Sequence, residues 1–310
     1  AGPSAAQNDS GGLPASALNA FRFRAIGPAT YSGRIGDIAV APDKKTWYVG
    51  IASGGVWKTE NAGTTWAPIF DSQQDVYSVG TVVLDPKDPN TVWVGTGENN
   101  AQRSVSYGNG IYKSEDGGRS WRNMGLKESE HIGRIAFDPR DSKVMYVAAQ
   151  GPLFSEGGER GLYKTTDGGE TWTNILKGTR WAGVNDVLVD PSNPDILLAS
   201  TWQRHRSFFG YLAGGPESAL HRSTDGGKTW RQLGVVPAGE GRIGLARSAS
   251  HPHIVYAIVE AAGGRGGTFR SDDGGASWRR QGSYSTIGLY YQEIFVDPVN
   301  PERVYAMDVR

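Results

Sequence analysis

An eight-residue phrase occurs five times in this 310-residue chain, at residues 59–66, 114–121, 165–172, 223–230 and 271–278. The last four copies read Ser/Thr-x-Asp-Gly-Gly-x-Ser/Thr-Trp, and the first carries Asn61 in place of the Asp. The copies lie about fifty residues apart, a period that is typical of propellers, solenoids and other arrays. The repeat therefore constrains the architecture of the chain much more than its activity.

Each phrase is expected to form a rigid turn between two strands. The side chain of its third residue can accept hydrogen bonds from N–H groups of the same turn, and the glycines allow positive φ. The five capping residues are Asn61, Asp116, Asp167, Asp225 and Asp273. The five tryptophans that close the phrases and anchor the hairpins are Trp66, Trp121, Trp172, Trp230 and Trp278. We interpret these residues as structural, neither calcium ligands nor a reaction centre.

A second pattern lies between the phrases, an apolar strand that ends in Asp-Pro. It occurs at 82–86, 135–139, 187–191 and 294–298, and further strands follow each copy. Four antiparallel strands in each repeat are typical of a propeller blade. We therefore predict an all-β fold, a β-propeller of four-stranded antiparallel blades, with five complete blades that each carry the phrase and an incomplete sixth. The predicted blades lie near 33–70, 77–124, 132–176, 182–233, 241–281 and, in part, 287–310.

The two ends of the chain set the predicted domain organisation. Residues 1–20 are predicted to be a flexible tail, and residues 21–310 a single propeller domain. The tail is small and polar, as expected where a signal peptide has been removed, which favours export to the periplasm, cell surface or medium. The sixth blade lacks a phrase. Either residues 21–26 supply an outer strand, or the natural polypeptide continues, and the missing third strand favours the second alternative.

Composition excludes several classes of function. The 32 basic and 32 acidic residues balance, so no nucleic-acid partner is expected. The chain has no cysteine and no long apolar run, so we expect no thiol chemistry and no membrane span. His251 and His253 have no evident third ligand, so neither a metal site nor any other cofactor is predicted.

Aligned first strands predict a polar ring in the central channel. The ring residues stand five positions before the Pro that ends the first-strand pattern, or before its equivalent. They are Asp37, Thr81, Arg134, Asp186 and Glu293, with Gly244 in the fifth blade. Towards the start of these strands come Arg34, Ser78, His131, Arg242 and Tyr290. The carboxylates and arginines at this level could bind a polar ligand, and the candidate ligand contacts are Arg34, His131, Arg134, Arg242 and Tyr290. An Asp37/Asp186 or Asp37/Glu293 pair could perform acid–base chemistry on a glycoside if the carboxyl groups lie roughly 5–10 Å apart. The alternative is a water-filled channel whose ion pairs satisfy one another.

Three long loops between second and third strands share one face with the starts of the first strands. They span residues 98–107, 150–160 and 202–211. The third loop combines aromatic and basic residues, a composition common in binding surfaces, and its candidate ligand contacts are Trp202, Arg204, Arg206, Phe208 and Tyr211. The alternative is a loop that folds its aromatic side chains over a neighbouring blade.

These motifs resemble a known repeat family. The phrase resembles the Asp-box, or bacterial neuraminidase repeat. Residues 53–59 and 161–169 are similar to exported bacterial propellers of the sortilin-N-terminal-like and glycosyl-hydrolase-like, xyloglucanase type. The resemblance covers residues 21–310 and implies a propeller, but the repeat also occurs in sialidases, xyloglucanases, sortilin-type receptors and a photosystem assembly factor.

Each enzyme class with this repeat has its own characteristic residues, and the sequence can be compared with them. Sialidases carry an Arg-Ile-Pro motif before the first Asp-box, and neither 23–28 nor 33–36 matches it. Xyloglucanases of this type place one catalytic Asp on each of two propellers that face a cleft, which one short propeller does not supply.

Two functions of different class follow. We expect a non-catalytic exported scaffold that binds a protein or peptide partner through its loop face, as part of a larger chain or assembly. The alternative is a glycoside hydrolase, xyloglucanase- or sialidase-like, with a carboxylate pair at the channel mouth and a carbohydrate ligand.

Overall fold

Strands and tight turns make up almost all of the computed structural model. It describes residues 33–73, 75–234, 240–286 and 288–308. The predicted tail and the candidate closing strand at 21–26 lie outside the described residues. Within the described part, helical structure is limited to two short 3-10 turns, Lys127–Ser129 and Ala262–Gly264.

Five four-stranded antiparallel sheets follow one another along the described chain, each with its strands in chain order. Sheet 1 contains β1 (Ile35–Val40), β2 (Trp47–Ile51), β3 (Gly55–Thr59) and β4 (Ala67–Pro68). Sheet 2 contains β5 (Val79–Leu84), β6 (Val92–Thr96), β7 (Ile111–Ser114) and β8 (Arg122–Asn123). Sheet 3 contains β9 (Ile132–Asp138), β10 (Asp141–Ala149), β11 (Gly161–Thr165) and β12 (Thr173–Lys177).

Sheets 4, 5 and 6 contain the remaining strands. Sheet 4 contains β13 (Ala182–Val189), β14 (Leu197–Gln203), β17 (Ala219–Ser223) and β18 (Arg231–Leu233), with the hairpin β15 (His205–Arg206) and β16 (Tyr211–Leu212) in its long loop. Sheet 5 contains β19 (Glu240–Arg247), β20 (Val255–Ala261), β21 (Gly267–Ser271) and β22 (Arg279–Gly282). Sheet 6 has two strands among the described residues, β23 (Glu293–Val296) and β24 (Val304–Met307). The predicted all-β fold of four-stranded antiparallel sheets is confirmed.

The first strands of consecutive sheets lie side by side, from β1 through β5, β9, β13 and β19 to β23. Apolar side chains between the sheets form the core. Val82, Val187 and Leu245 occupy equivalent positions on three first strands, and all three are buried. Complete burial of one such side chain stabilises a fold by about 1.5–3 kcal/mol. The core is thus a series of sheet-to-sheet interfaces around the first strands.

Glycine at the bulges of the first strands permits this close approach. The pairing of β5 with β6 shifts register between Val79 and Thr81, and Gly80 is the extra residue. A Cβ atom on Gly80 would lie 2.3 Å from the carbonyl oxygen of Gly97 and 2.5 Å from that of Ile132. Because both obstacles are main-chain atoms, any larger residue would push the strands apart.

The repeated phrase forms the turn between the third and fourth strands of each complete sheet. In sheet 4, Oδ1 of Asp225 accepts hydrogen bonds from Oγ of Ser223 at 2.8 Å and from the N–H of Thr229 at 2.9 Å. Oδ2 accepts the hydroxyl of Thr229 at 2.6 Å. These hydrogen bonds, the one from the Thr229 side chain foremost, lower the pKa of Asp225 to about 2. The N–H of Gly226 donates to the carbonyl of Asp195, which ties the turn to the first hairpin of the sheet.

The other four phrases form the same turn. Asp116, Asp167 and Asp273 accept equivalent bonds, and Asn61 accepts the N–H of Thr65 at 2.9 Å through Oδ1. The tryptophans differ. The indole N–H groups of Trp121 and Trp172 donate to carbonyls of the preceding sheet, those of Ile69 and Met124, both at 2.8 Å. The indoles of Trp66, Trp230 and Trp278 instead donate to a glycine of their own turn.

Replacement of Asp225 by alanine is predicted to lower the melting temperature, because the Ser223 hydroxyl and the N–H and hydroxyl of Thr229 lose their common acceptor. A lowered carboxyl pKa contributes stability that is present above the unfolded value near 3.8 and is lost as pH falls towards about 2. The melting-temperature difference from wild type should therefore be largest near pH 7 and shrink below pH 4.

Asp225→Asn is the matched control, since Asn61 already fills this position in sheet 1. It should lose less stability than Asp225→Ala. Calorimetry at several pH values checks both variants, and a difference that stays constant across pH would contradict the account.

Candidate functional site

All six first strands border one narrow channel. Its cavity measures about 50 Å³, room for one or two water molecules and too little for a sugar ring. The lining includes all five polar members of the ring expected from the sequence, Asp37, Thr81, Arg134, Asp186 and Glu293. The structure thus brings these side chains together at one level of the channel.

Asp37 joins sheet 1 to sheet 2. Its Oδ1 accepts the N–H of Ile38 at 2.8 Å, and its Oδ2 accepts the hydroxyl of Thr81 at 2.8 Å and the N–H of Val82 at 3.1 Å. Because these donors come from two sheets, the carboxylate links sheet 1 to sheet 2. It also satisfies N–H and hydroxyl groups that apolar packing would leave without a hydrogen-bond partner.

Asp186 makes the corresponding contacts between sheets 4 and 5. It accepts the N–H groups of Val187 at 2.8 Å and Leu245 at 2.9 Å. Arg134 lies 3.7 Å away from the same carboxylate. Burial raises the pKa of Asp186 despite the opposing effect of Arg134 and the two N–H donors. The charge of Asp186 in turn raises the pKa of Arg134, whose side chain keeps 43% of its surface accessible because it faces the channel.

Glu293 differs from both aspartates. Among the described residues, no donor lies within hydrogen-bonding distance of its carboxylate. Burial raises its pKa, and the charges of Asp37 and Asp186 add to that effect, while Arg242 and Arg134 oppose it. Of the three channel carboxylates, Glu293 is therefore the one that can hold and release a proton without breaking the junction between two sheets.

A second, smaller cavity lies between β1 and β23 towards the loop face, and we call it the seam pocket. It measures about 20 Å³, and its lining includes Arg34, Glu98, Asn99, Asn100, Tyr290, Tyr291 and Glu293. Arg34 forms a two-pronged ion pair with Glu98, with Nη2 and Oε2 2.6 Å apart. Arg34 also lies over the ring of Tyr290, 5.9 Å from its centroid. Glu293 borders both this pocket and the channel.

His131 and Arg242 lie in the interior. Nδ1 of His131 is 3.0 Å from the carbonyl oxygen of Glu98, and burial holds the pKa of this imidazole well below its usual value. Arg242 donates to Oδ1 of Asn185 at 2.9 Å and to the carbonyl of Tyr290 at 3.2 Å, and burial lowers its pKa. Both residues were expected to contact a ligand, and the structure instead uses them to hold the channel wall together.

The loop face of the channel is covered by its own loops. Trp202 is fully buried in a small apolar cluster with Ala101, Val105 and Leu153. The guanidinium of Arg204 lies 5.3 Å from the centre of the Trp202 indole, and that of Arg242 lies 5.1 Å from it. Trp202 therefore packs between two cations over the channel instead of facing solvent.

Arg204 and Arg206 hold the same loops. Arg204 donates to the carbonyls of Asn100 at 2.6 Å and Gly151 at 3.0 Å, which belong to the other two long loops. Arg206 donates to the carbonyl of Ala101 at 2.8 Å. Both guanidinium groups are buried. The expected ligand contacts Trp202, Arg204 and Arg206 therefore lie under the loop surface, where main-chain carbonyls accept hydrogen bonds from both guanidinium groups. The indole N–H of Trp202 and Nε of Arg204 have no hydrogen-bond partner among the described residues.

The tip of the third loop is exposed. The hairpin β15–β16 carries Phe208 and Phe209 at its turn, with 95% and 96% of their surface accessible, and Tyr211 beside them. The two phenyl rings meet edge to face, with centroids 5.1 Å apart. The five predicted loop contacts thus divide into a buried group, Trp202, Arg204 and Arg206, and an exposed tip with Phe208 and Tyr211.

Sequence reasoning missed Glu98, Tyr291 and Asn185. Asn185 stands where β1, β5 and β9 have their bulge glycine, so an alignment of the first strands would have singled it out. Glu98 is the first residue of the first long loop, but nothing in the sequence pairs it with Arg34.

The described residues contain neither a metal-binding cluster nor a membrane-spanning helix. No cluster of three His, Cys, Asp or Glu residues there is arranged to bind a metal ion. No helix in the same part of the chain is long and apolar enough to cross a membrane.

Comparisons with known proteins agree with the fold. A family model described as sortilin, neurotensin receptor 3, matches residues 54–206, and a model of the BNR/Asp-box repeat matches residues 221–232. The crystal structure of the GH74 enzyme of Niastella koreensis superposes with a TM-score of 0.66 at 20% identity, covering 89% of this chain and 44% of that chain. The resemblance to Asp-box propellers of the sortilin and xyloglucanase type is confirmed.

Curated relatives carry a functional name. A xyloglucanase of Acetivibrio thermocellus is 26% identical over 229 residues, which cover 64% of this chain and 25% of that protein. A probable oligoxyloglucan-reducing end-specific xyloglucanase of Neosartorya fischeri is 23% identical over 238 residues, covering 71% and 26%. The chain spans about a quarter of the length of these relatives. The expectation of a non-catalytic scaffold for a protein or peptide partner is corrected by these similarities, since the relatives are xyloglucanases.

The two members of the Asp186–Arg134 pair are predicted to differ in their contribution to stability. Asp186→Ala leaves the N–H of Leu245 buried without an acceptor, which costs about 1–3 kcal/mol of unfolding free energy. Arg134→Ala removes a partly solvated charge and should cost less than about 1 kcal/mol. Urea unfolding measures both. Equal losses, or a larger loss for Arg134→Ala, would show that Asp186 does not join the sheets.

Proposed function

We propose that this chain is a β-propeller of a glycoside hydrolase that acts on a xyloglucan-type polysaccharide. The similarity to xyloglucanases supports the substrate class. The observation that carries the proposal is the position of Glu293, a carboxylic acid with a raised pKa on the boundary between channel and seam pocket. Because the chain spans about a quarter of these relatives, the activity of the whole protein is part of the proposal.

Glu293 serves as the general acid. A carboxyl group that keeps its proton at mildly acidic pH can donate it to the oxygen of the leaving sugar as the glycosidic bond breaks. Neither aspartate of the ring is as suitable, because Asp37 and Asp186 each accept one main-chain N–H group from the neighbouring sheet and another from their own strand.

Asp37 is the second carboxylate of the pair. Its hydrogen bonds to Thr81 and Val82 fix its position beside Glu293 in the ring. A water molecule that attacks the anomeric carbon would transfer a proton to Asp37, while the proton of Glu293 goes to the leaving oxygen. Paired carboxyl groups of this kind carry out glycoside hydrolysis in most such enzymes.

The seam pocket offers contacts for a sugar at the channel mouth. Tyr290 and Tyr291 present two rings whose centroids are 6.4 Å apart, and such rings stack on the apolar face of a pyranose. The amide of Asn99 and the guanidinium of Arg34 line the same pocket and can bind sugar hydroxyls. Because both cavities are small, the glycan lies over the mouth and does not enter the channel.

The architecture and location form part of the same proposal. Five sheets that each carry an Asp-box turn between their third and fourth strands support five complete blades and a sixth in part, within the described part of a proposed single domain at 21–310. A polysaccharide is too large to enter a cell by diffusion, which supports export of the protein. The exposed Phe208 and Tyr211 stay candidate carbohydrate contacts at the loop face.

Glu293→Gln is predicted to lower the kcat for release of reducing sugar from xyloglucan by at least about 100-fold, since loss of a general acid costs roughly 10²–10⁴-fold. Glu128→Gln is the matched control, because Glu128 is an exposed carboxylate that lines neither the channel nor the seam pocket. Full activity in Glu293→Gln would refute the assigned acid. A wild-type protein that releases no sugar between pH 4 and 8 would refute the hydrolase itself.

Glu293 is also predicted to make stability depend on pH. A carboxyl pKa that is raised in the folded state contributes stability below the unfolded value near 4.5, and this contribution is lost as pH rises through the folded pKa. Glu293→Gln should therefore melt at a higher temperature than wild type at pH 7. The difference should vanish below pH 4.5. A lower melting temperature for the variant at pH 7 would contradict the raised pKa.

A further inference from the structure

The interface between sheets 4 and 5 carries an arginine at a position that is apolar in the other sheets. Both sheets have four strands among the described residues. Arg247 is the last residue of β19 and pairs with Val255 of β20. The residues at the same register position on the other first strands are Val40, Leu84, Phe137, Val189 and Val296. A cation therefore replaces an apolar side chain at this position.

Arg247 is buried, and one carboxylate pairs with it. Its side chain keeps 7% of its surface accessible, and Nη1 donates to Oδ2 of Asp190 in sheet 4 at 2.8 Å. Nη1 also donates to the carbonyl of Pro252. Nε and Nη2 are buried without a hydrogen-bond partner among the described residues. Because buried polar groups almost always have a partner, these two donors indicate an acceptor that the described residues do not supply.

Arg222 brings a second cation to the same interface. It lies on β17 opposite Leu198, whose side chain belongs to a core cluster that sheets 4 and 5 share. Opposed residues of an antiparallel pair project to the same face, so Arg222 faces sheet 5. Its Nε is also buried without a hydrogen-bond partner in the described part of the chain.

The basic residues equivalent to Arg222 have a partner that Arg222 lacks. In the four other complete sheets, this residue lies over an aromatic ring of the second strand, 5.2–5.6 Å from the ring centroid. The pairs are Lys58–Tyr48, Lys113–Trp93, Lys164–Tyr146 and Arg270–Tyr256. In sheet 4 the ring is replaced by Leu198, so no cation–π contact compensates the charge of Arg222.

The two arginines have a single carboxylate between them. Oδ1 of Asp190 accepts the N–H groups of Ser192 and Asn193 in its own turn, which leaves Oδ2 for Arg247. None of the ion pairs among the described residues includes Arg222. Burial lowers the pKa of Arg247, and the charge of Arg222 adds to that effect, while Asp190 opposes it. A buried positive charge without a counter-charge is costly, so the interface favours a bound anion.

Space for an ion lies beside Asp190. Gly274, in the Asp-box turn of sheet 5, is buried next to this carboxylate. A Cβ atom on Gly274 would lie 3.6 Å from Oδ2 of Asp190, and apart from the chain neighbours of Gly274 no other atom of the described residues lies within 4 Å of that point. The side chains of Arg247 and Asp190 keep only 7% and 9% of their surface accessible, so the site is enclosed and suits a monatomic ion.

We propose that one halide ion, chloride in ordinary solution, binds between the guanidinium groups of Arg222 and Arg247. It accepts hydrogen bonds from Nε of both arginines and from Nη2 of Arg247, the three donors that otherwise have no partner. Its charge compensates the cation that Asp190 leaves unpaired. The ion thereby holds sheets 4 and 5 together, and the site is independent of the proposed hydrolase activity.

Thermal unfolding of the full chain tests the site when chloride is exchanged for gluconate at constant ionic strength. Gluconate has the same charge but is too large for an enclosed site. An ion that binds only the folded state raises the melting temperature in a saturable way as its concentration increases. We expect this rise with chloride and with bromide. A crystal grown in bromide should show an anomalous scattering peak between Arg222 and Arg247.

Arg247→Leu and Arg222→Gln are expected to remove most of the chloride-dependent rise. Loss of one charged donor should raise the Kd for chloride by roughly 10-fold or more, the effect expected for a hydrogen bond to a charged group. Leu84 already occupies the position of Arg247 in sheet 2, so leucine is compatible with the strand. Arg103→Gln is the matched control, because Arg103 is exposed in the first long loop, and it should keep the full chloride dependence.

Each variant is compared with itself in the two salts, so a general loss of stability does not affect the comparison. The proposal is overturned if the wild-type protein melts at the same temperature in chloride and gluconate. It is also overturned if the bromide crystal shows only water between the two arginines, or if both variants keep the chloride dependence of the wild type.

Discussion

Close approach of the six first strands is the constraint on which the rest of this structure depends. Gly80 lets main-chain atoms of three strands meet at a bulge, and Asp37 and Asp186 accept N–H groups from the neighbouring sheet. The main role of the polar ring is therefore to join neighbouring sheets by hydrogen bonds. A carboxylate that performs this task is poorly suited to be the general acid, which must hold its proton before the reaction begins, because a protonated carboxyl group would weaken the junction.

The difference between Glu293 and the two sheet-joining aspartates explains why the chemistry is assigned to Glu293 and the seam pocket. At the junction of sheets 6 and 1, no described donor satisfies the ring carboxylate, and burial raises its pKa. Elsewhere the loops cover the channel, since Trp202 packs between the guanidinium groups of Arg204 and Arg242. The junction between sheets 6 and 1 is therefore the one to which the chemistry is assigned.

Much of this arrangement could be predicted from the sequence. The phrase ending in Trp121 and the Asp-Pro pattern established the sheets and their order, because local turn chemistry repeats with a fixed period. Alignment on Asp-Pro placed Asp37 and Glu293 in one ring, because the first strands share a register. The burial of Trp202 and Arg204 could not be predicted, since it depends on carbonyls of Asn100 and Gly151 in loops distant along the chain. The same composition would suit an exposed binding surface.

The most direct test of the central claim is a crystal structure of the protein with a bound xyloglucan oligosaccharide. The account predicts a sugar stacked on Tyr290 or Tyr291, with a glycosidic oxygen within hydrogen-bonding distance of Glu293. A glycan bound along the Asp-box face, or on the exposed tip at Phe208 with the seam empty, would contradict the account and move the site away from the first strands.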